Sequence, residues 1–268
     1  MVPSKHNFSI IARINSFYRF LMVIELIFLG VGVGVLSGFF GIGGGTILVP
    51  ALLLMGVDMK SAIGISVLQM VFASVYGSYL NLKKGTLDVK MVLTIGFGGF
   101  IGALASSVVI ASVDEVVLES VFLGFVLFAL TRLYFKTLEH RDSREVHPAI
   151  LFIIGVVIGT FSISIGVGGS ILLVPILVGF LHVPLKNAIS AGLFFVVFSS
   201  ISGLISLSVG GQIDYERGVI VGIASMAGVA GGIWLNHRTS DLLQKRLLML
   251  FYVSVALYLF YRLVMQYG

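Results

Sequence analysis

Two stretches hold the residue types that could do chemistry. GIGGGTILVP at 41–50 and GVGGSILLVP at 166–175 align without a gap, 125 positions apart. Each crowds glycines ahead of a proline, which is poor material for a continuous helix. Yet the first lies inside Leu26–Val57, a run with no Asp, Glu, Lys or Arg. Glycine allows positive φ and lets a ligand approach the backbone amides. A helix starting after such a break aims its free N–H groups and positive dipole end at the gap, which favours an anion. The candidate ligands are therefore Gly41, Gly43, Gly44, Gly45 and Thr46 from the first stretch, with Gly166, Gly168, Gly169 and Ser170 from the second. Pro50 and Pro175 fit the first turn or so of the helices that follow.

Other chemistries lack their residues. The chain has no cysteine, and His6, His140, His147, His182 and His237 lie in tails, linkers or segment ends. That leaves no buried metal set and no membrane-embedded Ser/His pair, so neither a cofactor nor a metal nor an enzyme is expected. Nor does Gly41-Ile-Gly43 sit in a nucleotide-binding context, having no preceding soluble strand.

The elements that position these residues follow from composition. Of 268 residues, 58% are hydrophobic and only 11% are charged, against about a quarter charged in soluble domains. Charge-free runs cover 26–57, 61–82, 91–113, 120–131, 187–213, 218–236 and 247–261. A bilayer crossing asks for about 20 apolar residues, so an all-α, polytopic membrane protein is expected. The net charge of +5 sits mainly in short loops, a placement that suits membrane orientation rather than nucleic acid. Residues 1–20 form a basic amphipathic lead-in.

The chain also repeats itself. Beyond the glycine motifs the offset becomes 126 and pairs Lys60 with Lys186, Ala62 with Ala188, Phe72 with Phe198 and Gly77 with Gly203. It continues through Gly85/Gly211, Asp88/Asp214, Gly96/Gly222 and Gly102/Gly228. Two homologous halves, 21–135 and 149–263, are thus joined by the polar linker 136–148 within one membrane domain, 1–268. Each half reads as a broken segment (22–56; 149–181) followed by three spans, at 61–82, 91–112 and 116–135, then 187–208, 218–236 and 242–263. As one helix the broken segment would stretch to about 50 Å, too long for a simple crossing. It is either a crossing with an unwound middle or a hairpin returning to its own face. With the tail set aside, the hairpin splits loop Lys and Arg 11 to 3 and the crossing 9 to 5. The hairpin is preferred, and it makes the halves an inverted-topology pair.

The alignment also selects polar partners. Ser37 pairs with Ser162, each four residues before its first motif glycine. On the next helix Ser66, Gln69, Ala73 and Tyr76 share one face, opposite Gly192, Phe195, Ser199 and Ser202 in the second half. Hydroxyl and amide donors of this kind could bind an oxyanion without a fixed cation, and Gln69 against Phe195 would suit an anionic head with a carbon tail. Plain packing is the competing use of glycine, and it is the natural reading of the pairs Gly34/Gly38, Gly98/Gly102, Gly155/Gly159 and Gly228/Gly232. Glu25, Glu119 and Arg132 lie near span ends, within snorkelling reach of the interface. If transport is proton-coupled, Glu25 is the carboxylate to consider.

The two Gly-rich motifs, each with its proline, and the Ala62-Ile-Gly-Ile-Ser66 stretch after the first resemble the TauE/SafE sulfite exporter family (TSUP), over about 25–263. The second copy departs from it at Ser170, opposite Gly45, and at Gly192, opposite Ser66. The resemblance implies a carrier in the bacterial inner membrane that exports sulfite or a small organosulfonate by alternating access. Its partners would be that anion and the lipid bilayer, with no nucleic acid and with a homodimer left open. A passive anion channel and a carrier for another small oxyanion or carboxylate are the alternatives.

Overall fold

The computed structural model describes the backbone of residues 5–83, 89–134 and 147–267, and the side chains of 20–83, 91–134 and 147–265. Most of the linker 136–148 and the pairing of Gly85 and Asp88 fall outside them. The described residues form helices α1 (Lys5–Phe40), α2 (Gly45–Leu54), α3 (Met59–Lys83), α4 (Val89–Ala103), α5 (Ser106–Ser112), α6 (Glu115–Tyr134), α7 (Pro148–Ser164), α8 (Ser170–Phe180), α9 (Leu185–Val209), α10 (Tyr215–Arg238) and α11 (Asp241–Tyr267). Six of them are long and apolar enough to cross a bilayer, taking Phe20–Phe40 as that part of α1. The bent pair α4/α5 would make seven.

Helix α1 runs unbroken from Lys5, so the N-terminal segment continues into the first span. One boundary differs from the sequence reading. The expected span 91–112 is two helices bent by 41° after Ala103. Carbonyls freed at such depth need partners within the protein, and hydroxyls supply them. Ser202 Oγ donates to the Phe100 carbonyl, Ser206 Oγ to that of Leu104 at 2.8 Å, and Thr160 Oγ1 to that of Gly102 at 3.0 Å. The counterparts of Ser202 and Ser206 on α3 are Tyr76 and Leu80, which offer no short hydroxyl to α10. The matching span, α10, stays whole.

The four-apart glycines do pack helices. A Cβ on Gly34 would stand 2.1 Å from the Ser225 carbonyl oxygen, and one on Gly228 2.1 Å from that of Val31. These residues join α1 to α10. Between α4 and α7 the same holds: a Cβ on Gly102 would lie 2.0 Å from the Val156 oxygen, and one on Gly155 2.2 Å from that of Ile95. Removing side chains lets these backbones approach where no hydrophobic effect drives helices together. The neighbours come in matched sets: α1 on α10 and α7 on α4, α3 against α9, α6 against α11. Phe72 abuts Gly222, and its repeat partner Phe198 abuts Gly96.

At each glycine cluster the chain doubles back. The α1 glycines meet α10 in ascending order, so the two helices run the same way. Near its end the Phe39 carbonyl accepts from Asn236 Nδ2 at 2.7 Å and Gln244 Nε2 at 2.8 Å, at the turn from α10 to α11. Helix α2 finishes toward the other end of α11, where Arg262 Nη1 donates to the Leu53 carbonyl at 3.3 Å. The second half repeats the figure. α7 runs along α4, and α8 returns to the end of α6, where Arg132 Nη2 donates to the Gly179 carbonyl at 3.1 Å. With 10 and 11 residues, α2 and α8 are each about 15 Å long, half a crossing.

Candidate anion site at two helix breaks

Each break is built by three glycines in the left-handed region. Gly41, Gly43 and Gly44 have φ of 68°, 72° and 83°, and Gly166, Gly168 and Gly169 have 72°, 77° and 88°. Side chains avoid this region at about 1–2 kcal/mol per residue, so sequence and conformation agree at these positions. Gly44 and Gly169 are the N-caps of α2 and α8, and neither helix has a side-chain cap. The Ile47 and Leu172 amides turn back onto the Gly44 and Gly169 carbonyls at 3.0 and 3.2 Å. That leaves the amides of Gly45 and Thr46 in α2, and of Ser170 and Ile171 in α8, for a ligand. The prolines lie deeper than expected, each at the sixth position of its helix rather than in the first turn. There the missing N–H frees the carbonyl four residues back, on Thr46 and Ile171.

The two breaks meet. A Cβ on Gly45 would sit 2.0 Å from the Gly166 carbonyl oxygen and 2.7 Å from Ser66 Oγ. Ser66 Oγ donates to that carbonyl across the halves at 2.7 Å. On the other side a Cβ on Gly192 would lie 3.1 Å from Ser170 Cβ and 3.2 Å from the Gly41 oxygen. The two departures from the repeat, Ser170 for Gly45 and Gly192 for Ser66, are therefore one compensated exchange. Each contact holds one serine and one glycine, because two side chains would not fit.

The expected polar residues divide into two groups. Ser66 and Ser199 hold break carbonyls, Ser199 Oγ donating to Gly168 at 3.0 Å. Ser37, Thr46, Ser162, Ser170 and both amide atoms of Gln69 are fully buried with no hydrogen-bond partner. Ser37 and Ser162 occupy the last turns of α1 and α7, Thr46 and Ser170 the first turns of α2 and α8. A buried polar atom without a partner costs about 1–3 kcal/mol, so a cluster of them beside two open helix N-termini calls for a reason. Gln69 lies against Gly44, its Oε1 2.6 Å from where a Cβ would stand, and Phe195 lies against Gly169 at 2.4 Å. The mismatched pair thus flanks equivalent caps. Tyr76 leaves this face and lines an outer apolar groove of about 350 Å³ with Phe72, Tyr79 and Met226.

Several residues escaped the sequence reading. Met70 and its repeat partner Val196 fill the space between Gly43 and Gly168 and are wholly buried. An apolar pair on adjacent helices carries no sequence signal of its own, although the offset of 126 pairs these two. Asn236 and Gln244 cap α1 from far along the chain. Glu119 does not reach the surface, being fully buried and bonded to Arg262, and the half-buried Arg132 caps α8 with its guanidinium 3.9 Å from the Phe180 ring centre. Glu25 is exposed on the outside of α1. Among the described residues no group of three His, Cys, Asp or Glu could hold a metal ion.

Residues 26–259 match the family described as "Sulfite exporter TauE/SafE". A probable membrane transporter protein of Methanocaldococcus jannaschii is 30% identical over 200 residues, which cover 70% of this chain and 74% of that protein. The probable membrane transporter protein YdhB of Bacillus subtilis is 24% identical over 223 residues, 79% of this chain and 88% of its own. No solved structure gives a match of comparable strength. With crossings of membrane length, paired glycine breaks and these relatives, the chain is a multi-pass membrane transporter belonging to the TauE/SafE sulfite exporter family.

Proposed function

We propose that the protein exports sulfite or a small organosulfonate by alternating access, with the anion held by the N-terminal amides of α2 and α8. One observation carries this reading: two uncapped helix N-termini meet inside the protein beside buried hydroxyls and an amide that have no partner. Dipole and N–H groups then supply the counter-charge that lysine or arginine supplies elsewhere. The remaining candidates take defined parts. Gln69, Thr46 and Ser37 would serve the first cap, Ser170 and Ser162 the second, with Ser66 and Ser199 bracing the carbonyls between them. Phe195 opposite Gln69 offers an apolar wall to a short carbon tail.

The directions of the two short helices support a symmetric carrier. Helices α2 and α8 leave the centre toward opposite ends of α6, one toward Glu119 and Arg262 and the other toward Arg132. That arrangement supports two inverted repeats, each contributing a re-entrant hairpin, the architecture secondary transporters use around a central site. Met70 and Val196 plug the space between the breaks, so an anion enters only when they move. A flexible thioether is suited to that. A plug that must move favours saturable carriage over a passive channel, whose signature would be resolvable unitary currents.

The test is a thermal-shift screen of the purified protein against sulfite, sulfate, thiosulfate, short sulfonates and carboxylates, since a ligand of the native state raises apparent stability. Gln69→Leu sharpens it. Removing a partnerless buried amide should stabilise the protein by about 1–3 kcal/mol, while losing the anion's bond to it should weaken affinity about tenfold. Unchanged affinity would remove Gln69 from the site. A loss of stability would make it an ordinary structural glutamine.

A further inference from the structure

The two short helices are capped by matching arginines, but among the described residues only one cap carries an acid. Arg132 of α6 holds the end of α8, and Arg262 of α11 holds the end of α2. Each arginine comes from the opposite half to the helix it caps, and its charge suits a helix C-terminus. Arg262 is also bonded through Nε to Glu119 Oε1, at 3.0 Å. The Glu119 side chain is wholly buried, and its Oε2 has no partner. From the elements packed on α6, the groups that act on the pair are few. Arg262 comes from α11, where Tyr258 also bonds it, and Glu115 lies one turn earlier on α6. Helices α2 and α8 contain no titratable side chain, and those of α3 (Lys60, Tyr76, Tyr79 and Lys83) are not among its partners.

We infer that Glu119 is a proton-binding site that couples proton movement to the seating of α2. Ionised, it fixes Arg262, and Arg262 fixes the Leu53 carbonyl, which holds the far end of the helix whose N-terminus faces the candidate anion site. A proton adding to the free Oε2 makes the neutral acid and leaves Arg262 without its counter-charge. The cap then loosens, and α2 is free to move. Among the described residues the cap on α8 has no carboxylate, so it stays, and one hairpin responds to protons while the other serves as the fixed frame. An ionisable group enclosed in a membrane protein is costly, which makes such a role its natural explanation. The inference rests on the carrier reading above and adds the driving ion to it.

Proteoliposomes with methanesulfonate as probe and a trapped pH dye test it, because this strong-acid anion keeps its charge and moves no proton itself. Wild-type net flux should carry protons and respond to an imposed pH gradient. Glu119→Gln should keep methanesulfonate exchange at zero gradient but lose both the proton movement and the gradient response. If that variant fails to fold, Glu119→Gln with Arg262→Gln removes both charges together and carries the same expectation. Proton-coupled flux persisting in either variant, or wild-type net flux without protons, overturns the inference and leaves the carrier standing. Absent wild-type exchange sinks the carrier reading instead. Infrared titration of the purified protein then still decides: a carboxylic-acid band missing from Glu119→Gln should titrate, and a Glu119 that stays ionised from about pH 5 to pH 9 overturns the proposal.

Discussion

Valine at Gly168 should abolish anion binding while the protein still reaches the membrane. The residue sits at φ 77°, and a Cβ there would stand 2.5 Å from Met70 Sδ. The sulfur is the movable end of a flexible side chain, so the clash is cheap, but the backbone is not. A β-branched residue in the left-handed region costs about 1–2 kcal/mol and pulls the chain toward negative φ. That rotation re-aims the cap Gly169 and with it the first-turn amides of α8. Affinity for methanesulfonate should fall about a hundredfold or more, roughly 2.8 kcal/mol, in equilibrium binding to detergent-purified protein. Gly168→Ala gives a milder version with less risk to folding. Wild-type affinity in both would return this glycine to a packing role.

Valine at Gly102 should do the opposite kind of damage. Gly102 lies within the regular helix α4 at the seam with α7, and a Cβ would meet the Val156 carbonyl oxygen at 2.0 Å and Thr160 Oγ1 at 2.9 Å. Backbone cannot yield as a side-chain tip does, so the two helices must part. The bond from Thr160 to the Gly102 carbonyl goes with them. Overpacking alone costs about 1–3 kcal/mol, and the lost Thr160 bond adds to it, leaving the Gly102 carbonyl only the Ala105 amide at 3.1 Å. Little monodisperse protein should be recovered, as size-exclusion chromatography would show. Gly32 is the control, because nothing lies within 4 Å of a Cβ there and alanine should be silent. Normal recovery of the Gly102 variant would mean that the seam is looser than its geometry.

These two glycines show what the sequence made legible. Both kinds stood out by spacing: four apart inside charge-free runs for the packing glycines, clustered ahead of a proline for the breaks. Their roles separate by φ, and the sequence anticipated them because only the clusters are incompatible with a helix. The repeat offset foretold that Gln69 and Phe195 would occupy equivalent places, since equivalent positions meet equivalent backbone. Other features depended on contacts between distant segments. The break after Ala103 needs Ser202 and Ser206 from a helix about a hundred residues away, and its own glycines read as packing residues. Glu119 looked like an interfacial acid because it falls early in its span, and only the return of α11 brings Arg262 to it. Ser170 and Gly192 read as two unrelated departures until the fold placed them side by side.

If the amides at the two breaks hold the anion, nitrogen-15 glycine labels report the contact. Titrating labelled protein with methanesulfonate should move the resonances of Gly44, Gly45 and Gly169 saturably and together. Gly34, Gly98 and Gly228, which pack against neighbouring carbonyls, should stay put. Saturable binding that leaves the break glycines unmoved would place the anion elsewhere in the protein.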